Sequence, residues 1–343
     1  MKYFIHLILF ILVAPFLAAQ PSDYWHEVER KLRYTPEGDD FVIVNGDKRF
    51  NKALYGTNTA FRVETSDIPE FGLFMPNMGG NIQFGIISGT KSLWLNNANH
   101  IKSRYRAGSR IYEIKDPILG SGSLTITALA LSDTEGMVLK VESQNLPAGT
   151  KLITTYGGAS NARFSRNGDL GVDDPEAFSL KPDACEGNIF KIRNESFQLE
   201  YGAGTRGGPI TTVGVFSKGT TLKTGSPYKM ESVSELVKSF ATANKPILVA
   251  QTELSGKESY FTIKVDDNNN YSPAMLPEVF NNAEEKRKKI ASSVVIKTPD
   301  PFFNTLGGVL SMAADGIWDD ETEVWQHGAI GWRMPLNGWR AAY

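Results

Sequence analysis

The chain has 343 residues, 41% hydrophobic and 11% aromatic, enough for about two domains around a large core. Acidic and basic residues nearly balance at 38 to 36, and the one compact basic block is "EEKRKKI", which disfavours a nucleic-acid partner. Cys185 is the single cysteine, so no internal disulfide forms and the fold must rest on apolar burial.

The chain opens "MKYFIHLILFILVAPFLAAQ", with Lys2, an apolar run from Ile5 to Leu17 and small residues at Ala18 and Ala19. This predicts a cleavable signal peptide over 1–19, cut before Gln20, and hence a secreted or periplasmic protein. The run contains His6 and Pro15 and falls short of the roughly 20 apolar residues of a membrane span. Nothing later reads as a span, so none is expected in the mature chain.

From about Phe41 to Val265 the pattern is short runs rich in β-branched and aromatic residues, such as "DFVIVNGDKRF", "NIQFGIIS", "SLTITALAL", "MVLKVESQ", "KLITTYGG" and "SYFTIKVDD". Turn signals such as "NGDK", "SGTK" and "DDNNN" separate them, and helical periodicity is weak throughout. The expected fold is mainly β, with a large antiparallel β-sandwich over 20–275. Four motifs within it have plain structural readings. "GAGTRG" at 202–207 matches a dinucleotide pattern but continues as strand where a helix should receive the pyrophosphate, so it predicts a turn and no cofactor. The histidines His6, His26, His100 and His327 never fall at ligand spacing, and "DDNNN" lacks the glycine and glutamate of a calcium loop, so no metal is expected. "NES" at Asn194 matches a glycosylation acceptor, which marks exposure. Cys185 reads as a small buried residue.

After "DDNNNYSPAM" the character changes. A linker region over 276–297 is predicted, with an exposed connecting helix from Pro277 to Ala291 that pairs Glu284 with Lys288. The prolines of "KTPDP" stop it. A second helical run then places Phe302, Leu306, Val309, Leu310 and Ala313 on one face and opens a new domain over 298–343.

The last 26 residues hold four of the six tryptophans. Trp318, Trp325, Trp332 and Trp339 recur every seven residues, and Arg333 and Arg340 each follow one of them. On a continuous helix that interval would align the rings, but Gly328, Gly331, Pro335 and Gly338 argue against one. Aromatic packing between a loop and a helix end is the plain reading. The functional reading is a sugar site, in which flat indoles stack on pyranose faces while arginines and carboxylates bind hydroxyls. Hydrolysis of a glycosidic bond needs two carboxyls, and "DGIWDDETE" carries five in nine residues. A solvated acidic stretch would look the same.

The segment "SVVIKTPDPFFNTLGGVLSMAADGIWD" resembles the entry into the (α/α) barrel of six-hairpin glycosidases, where a sandwich leads through a linker helix and a "TPD" segment into the first barrel helix. "DGIWDDETEVW" loosely resembles the acidic loop of the α-L-rhamnosidase-like members. "RFNKALYGTNTAFRVETSDIPEFGLFMPNMGGNIQFGI" and "HGAIGWRMPLNGWRAAY" are similar to a group of large secreted bacterial proteins associated with polysaccharide degradation. The resemblance implies catalytic candidates Asp320, Glu321 and Glu323, with Asp315 opening the motif. Asp320 or Glu321 would be the general acid. Ile317 and Asp319 stand where the loop usually has proline and arginine. Trp318, Trp325, His327, Trp332, Arg333, Trp339 and Arg340 would line the substrate pocket.

A six-hairpin barrel needs on the order of 300 residues. The expectation is therefore that 298–343 is the truncated start of a catalytic domain, poorly ordered unless it docks on the sandwich. The chain by itself would be inactive, with the second carboxylate beyond Tyr343. Three readings stay open. The first is the N-terminal part of a secreted glycoside hydrolase acting on a complex plant or algal polysaccharide. The second is a polysaccharide lyase of sandwich-plus-toroid type, using His327 and Arg333. The third is a non-catalytic sandwich that binds polysaccharide or oligosaccharide through residues such as Tyr55, Trp94, Tyr105 and Arg106.

Overall fold

The computed structural model describes residues 32–74, 79–160, 178–205, 207–240, 245–256, 258–321 and 323–325. The predicted signal peptide lies outside them. The fold is mainly β, as the alternating runs predict, and two large antiparallel sheets form a sandwich.

The first sheet has ten strands in the spatial order β1 (Thr35–Glu37), β2 (Asp40–Val44), β8 (His100–Arg106), β9 (Ser109–Lys115), β10 (Ser123–Ala130), β11 (Gly136–Gln144), β18 (Ser259–Val265), β15 (Ile210–Phe216), β14 (Ser196–Tyr201) and β13 (Ile189–Arg193). The second runs β16 (Thr221–Gly225), β17 (Ile247–Glu253), β12 (Lys151–Gly157), β6 (Asn81–Ser88), β5 (Glu70–Phe74), β4 (Arg62–Thr65) and β3 (Lys52–Leu54), with β7 (Lys91–Trp94) also paired to β6. Side chains alternate across each strand, so β6 sends Ile82, Phe84 and Ile86 into the core while Gln83 points outward. Phe84 meets Phe261 of the opposite sheet at 6.0 Å, and Phe71 meets Tyr112 at 5.9 Å. These cross-sheet ring pairs lock the two layers together.

A polar cluster crosses the same core. Arg110 on β9 and Asp67 in the β4–β5 turn are both fully buried and 3.2 Å apart. Arg110 also donates to the Ser66 carbonyl at 3.0 Å, and the Tyr112 hydroxyl donates to that same oxygen at 2.7 Å. Tyr34 and Asn51 donate to Asp67, as does the Lys48 backbone N–H at 3.1 Å. Burial alone would raise the Asp67 pKa, but the hydrogen bonds and the Arg110 charge outweigh it and hold the carboxyl below its ordinary range.

Among the described residues three α-helices pack against the sandwich. Helix α1 (Val233–Lys238), capped by Ser232, sets Val233 and Leu236 on the second sheet with Ile153, Ile247 and Val249. Cys185 is buried in this cluster, and burial pushes its thiol up to about 12, in keeping with an inert packed residue. Helix α2 (Leu276–Ala291) is the expected linker helix, yet it is not simply exposed. Leu276, Phe280 and Ala283 are buried against Leu129, Val138, Val215 and Tyr260 on the outer face of the first sheet. The pairing of Glu284 with Lys288 exists at 3.8 Å, but Arg287 at 2.8 Å and Arg106 at 3.0 Å hold that carboxylate more closely.

Helix α3 (Pro301–Gly316) differs from the expectation in its buried face. Thr305, Gly307, Met312 and Gly316 are buried, whereas Leu310 and Ala313 are exposed and Phe302, Leu306 and Val309 are only partly covered. The helix docks through its small residues because they let its backbone approach the chain at Val294–Ile296 closely. "GAGTRG" is the connection between β14 and β15, and Asn194 is exposed in the β13–β14 turn. No described helix is long and apolar enough to cross a membrane.

Replacing Arg110 with alanine leaves Asp67 buried without its cation. The expected loss is about 3–5 kcal/mol of unfolding free energy, read from urea denaturation. A loss under about 1 kcal/mol would show that the pair is dispensable. Because the folded pKa of Asp67 lies below its unfolded value near 4, its contribution is full above about pH 4 and fades as pH falls through the folded value. Asp67→Asn should flatten that acid limb of the stability curve.

Candidate functional site

The site around Trp318 depends on how helix α3 is aimed. Its start is fixed by the "TPDP" segment: the Asp300 carboxylate accepts the Phe302 N–H at 2.8 Å, and Pro301 fills a position where no intrahelical N–H is needed. Asn304 closes the turn, accepting the Thr298 N–H at 2.6 Å and donating to the Thr298 carbonyl at 2.9 Å.

The far end of the helix is seated on the loop between β3 and β4. Gly316 lies against the Tyr55 ring so closely that an added Cβ would sit 2.4 Å from it. Asn58 donates to the Asp315 carbonyl at 2.8 Å, and its own carbonyl accepts the Asp320 N–H at 3.1 Å. The acidic segment is thus clamped on both sides by one sandwich loop.

Past the clamp the chain forms a small hairpin of β19 (Trp318–Asp319) and β20 (Val324–Trp325). Trp318 pairs across it with Trp325, and the rings meet edge to face with centroids 5.1 Å apart. The seven-residue interval therefore brings these two indoles together by strand pairing rather than by helical repetition. The Trp318 indole N–H donates to Asp320 Oδ1 at 2.8 Å, which fixes the orientation of that carboxylate. Asp319 is buried, Glu321 and Glu323 are exposed, and both Asp319 and Glu321 are engaged; Glu323 sits at a left-handed backbone position with φ 53°.

Asp315 gains more weight than its place at the start of the motif suggested. It is half-buried, and burial raises its pKa; the Lys286 ammonium offsets part of this, and the Asp320 charge adds to it. Lys286 itself is held by the Gly56 carbonyl at 2.8 Å. One carboxyl, Asp315, is thus half-buried at the clamp, and a second, Asp320, is held by the Trp318 indole. Only the long-range contacts of Asn58 and Lys286 reveal the Asp315 environment, and no local pattern carries them.

Of the other predicted pocket residues, His327, Trp332, Arg333, Trp339 and Arg340 lie outside the described residues. Of the surface set, Tyr105 is buried in the core, Tyr55 is covered by Gly316, and Arg106 is paired with Glu284. In "DDNNN", Asp267 is bound by Lys264 and Thr134, and Asp266 accepts from Gln198 at 3.2 Å. Among the described residues no three metal-ligating side chains converge.

A family model described as "Domain of unknown function (DUF4450)" matches residues 75–284. No curated protein matches the chain. Among solved structures, a bacterial glucoamylase complexed with acarbose is similar at 11% identity and a TM-score of 0.47, covering 80% of this chain and 44% of its own. A family GH92 inverting mannosidase from Bacteroides thetaiotaomicron is similar at 9% identity and a TM-score of 0.37, covering 82% and 36%. A GH92 family glycosyl hydrolase is similar at 10% identity and a TM-score of 0.41, covering 84% and 40%. The chain spans less than half the length of each of them.

Gly316→Ala should push the helix end off Tyr55. A loss of about 1–3 kcal/mol in stability is expected, with faster proteolysis between Trp318 and Trp325. Adding Tyr55→Ala should restore part of the protection. Unchanged cleavage in Gly316→Ala would mean that this contact does not hold the hairpin.

Proposed function

This chain belongs to the DUF4450 family, and we propose that it is the N-terminal portion of a secreted glycoside hydrolase acting on a complex plant or algal polysaccharide. The observation that carries the reading is the clamped acidic segment, in which the Asp320 carboxylate is held by one of two paired indoles and Asp315 is half-buried at the clamp. The resemblance of "KTPDPFF" and its flanks to the entry of a six-hairpin barrel supports the same reading. So does the order of elements, a sandwich followed by a seated linker helix and a capped second helix.

Glycoside hydrolysis needs an acid that protonates the leaving oxygen and a carboxylate that activates water or attacks the sugar. In this reading Asp320, oriented by the Trp318 indole, and Glu321 and Glu323, on the exposed turn of the hairpin, are the candidates for these roles. Asp315, half-buried and with its pKa raised by that burial, is a fourth candidate. Trp318 and Trp325 offer apolar faces for a pyranose ring. The chain alone turns nothing over in this reading, because the partner carboxylate and most of the barrel would come from further sequence. Export through the segment at 1–19 belongs to the same proposal.

The test uses the protein encoded by the whole reading frame that contains this sequence, purified from its exported fraction. Its mature N-terminus should be Gln20. On a panel of plant and algal polysaccharides it should release reducing ends without the ultraviolet absorbance of an unsaturated uronate. Replacing the true general acid among Asp315, Asp320, Glu321 and Glu323 by its amide should lower kcat by about 10²–10⁴-fold. An absorbing, unsaturated product would identify a lyase instead. Full activity in all four amide variants would remove the acidic segment from catalysis.

A further inference from the structure

A second place on the sandwich carries ligand chemistry, and it shares no residue with the clamped hairpin. On the outer face of the second sheet a groove of about 490 Å³ runs beside β6, where β5 ends and β7 begins. Gln83 lies along its floor, directly opposite Glu70 on β5. The Gln83 side-chain amide has no hydrogen bond to any described residue. Asn96, just after β7, also lines the groove, and its Oδ1 is buried without a partner. Leaving a buried carbonyl oxygen unsatisfied costs about 1–3 kcal/mol, so a turn of the Asn96 side chain that brought it to a donor in the groove would be favourable.

The remaining lining suits one kind of molecule. Trp94 forms one wall, half-buried, and its indole N–H is already donated to the Met230 carbonyl at 2.8 Å. A ring fixed in this way offers flat apolar surface at little cost in side-chain freedom. At the groove end Arg49 grips Glu70 through two contacts, 2.5 and 3.2 Å. The two charges neutralise each other, so this end of the groove offers no net charge to an anion, and Lys181 is the other charged residue of the lining.

We infer that this groove binds a neutral oligosaccharide segment, with a sugar ring against Trp94 and its hydroxyls on the amides of Gln83 and Asn96. Amides both donate and accept, as hydroxyl pairs require. The inference goes beyond the catalytic reading and stands without it, because it concerns binding and uses none of the acidic segment.

The experiment is calorimetric titration of the full chain with neutral oligosaccharides, such as gluco-, manno- and xylo-oligomers, and with oligogalacturonate as the acidic comparison. At least one neutral oligomer should bind, and Gln83→Ala and Asn96→Ala should each weaken it by roughly tenfold without lowering the thermal unfolding temperature. Trp94→Ala should abolish binding, although the lost packing can also lower stability, so the two amide variants decide the outcome. No binding of any neutral oligomer up to about 10 mM would overturn the inference. So would binding that ignores both amides, or preference for the uronate. Binding here by a protein whose acidic-segment variants are all fully active would uphold the groove while defeating the hydrolase reading.

Discussion

The contact on which the rest of the molecule depends is the buried guanidinium of Arg110. Apolar burial and the ring pairs hold the two layers together, but hydrophobic contact is not directional, and a buried polar contact adds the direction it lacks. Arg110 reaches from the first sheet to the Ser66 carbonyl and the Asp67 carboxylate in the second, and Tyr112, two residues along on the same face of the strand, reinforces it. The Asp67 carboxylate in turn collects donors from Tyr34, Asn51 and Lys48. One turn, between β4 and β5, is therefore fixed relative to both sheets. Strand β4 leaves that turn and leads back to the loop that carries Tyr55 and Asn58, so the register set at Arg110 determines where the acidic segment is clamped.

The sequence made this framework only partly visible. Strands with one wet face show a clean alternation, as in β8, where Ile101, Ser103 and Tyr105 are buried between more exposed neighbours. Such strands are legible because water selects every second residue. Strands β4 and β5 are buried on both faces and break the rule, with Arg62 and Glu64 forming an ion pair inside the protein. Those charges suggest a surface strand until a cover is known. Helix α1 was illegible for another reason: six residues are fewer than two turns, too few to express a period, and its docking depends on Gly85, where an added Cβ would meet Val233 at 2.7 Å.

At the candidate site the residue types were legible and their relations were not. Tryptophans interleaved with carboxylates suggested sugar chemistry, and Trp318 with Trp325 does form a pair. What orders the pair is the Asn58 side chain, 257 residues away from Asp315 in sequence. Periodicity reports on a residue's own element, whereas this clamp is made between elements at opposite ends of the chain. The same limit explains helix α3, whose most apolar stripe was expected to be its buried one. Its seat on the linker at Val294–Ile296 and on Tyr55 selects small residues for close approach instead, and leaves Leu310 outward.

The linker helix connects these two levels. A spacer would be wet on all sides, but α2 buries Phe280 and Ala283 on the first sheet and sends Lys286 to the Gly56 carbonyl beneath the clamp. Arg287 donates to the Ala107 carbonyl at 2.9 Å while Glu284 bridges it to Arg106. The helix can neither rotate nor slide without leaving these groups unpaired in a half-buried setting. Its length and direction thereby fix where α3 begins, and the Tyr55–Asn58 loop fixes where α3 ends. Lys286 is also the cation that moderates the raised pKa of Asp315. The element that joins sandwich to helix thus also tunes the carboxyl at the junction, so seating the linker and setting the acid's environment are one structural event.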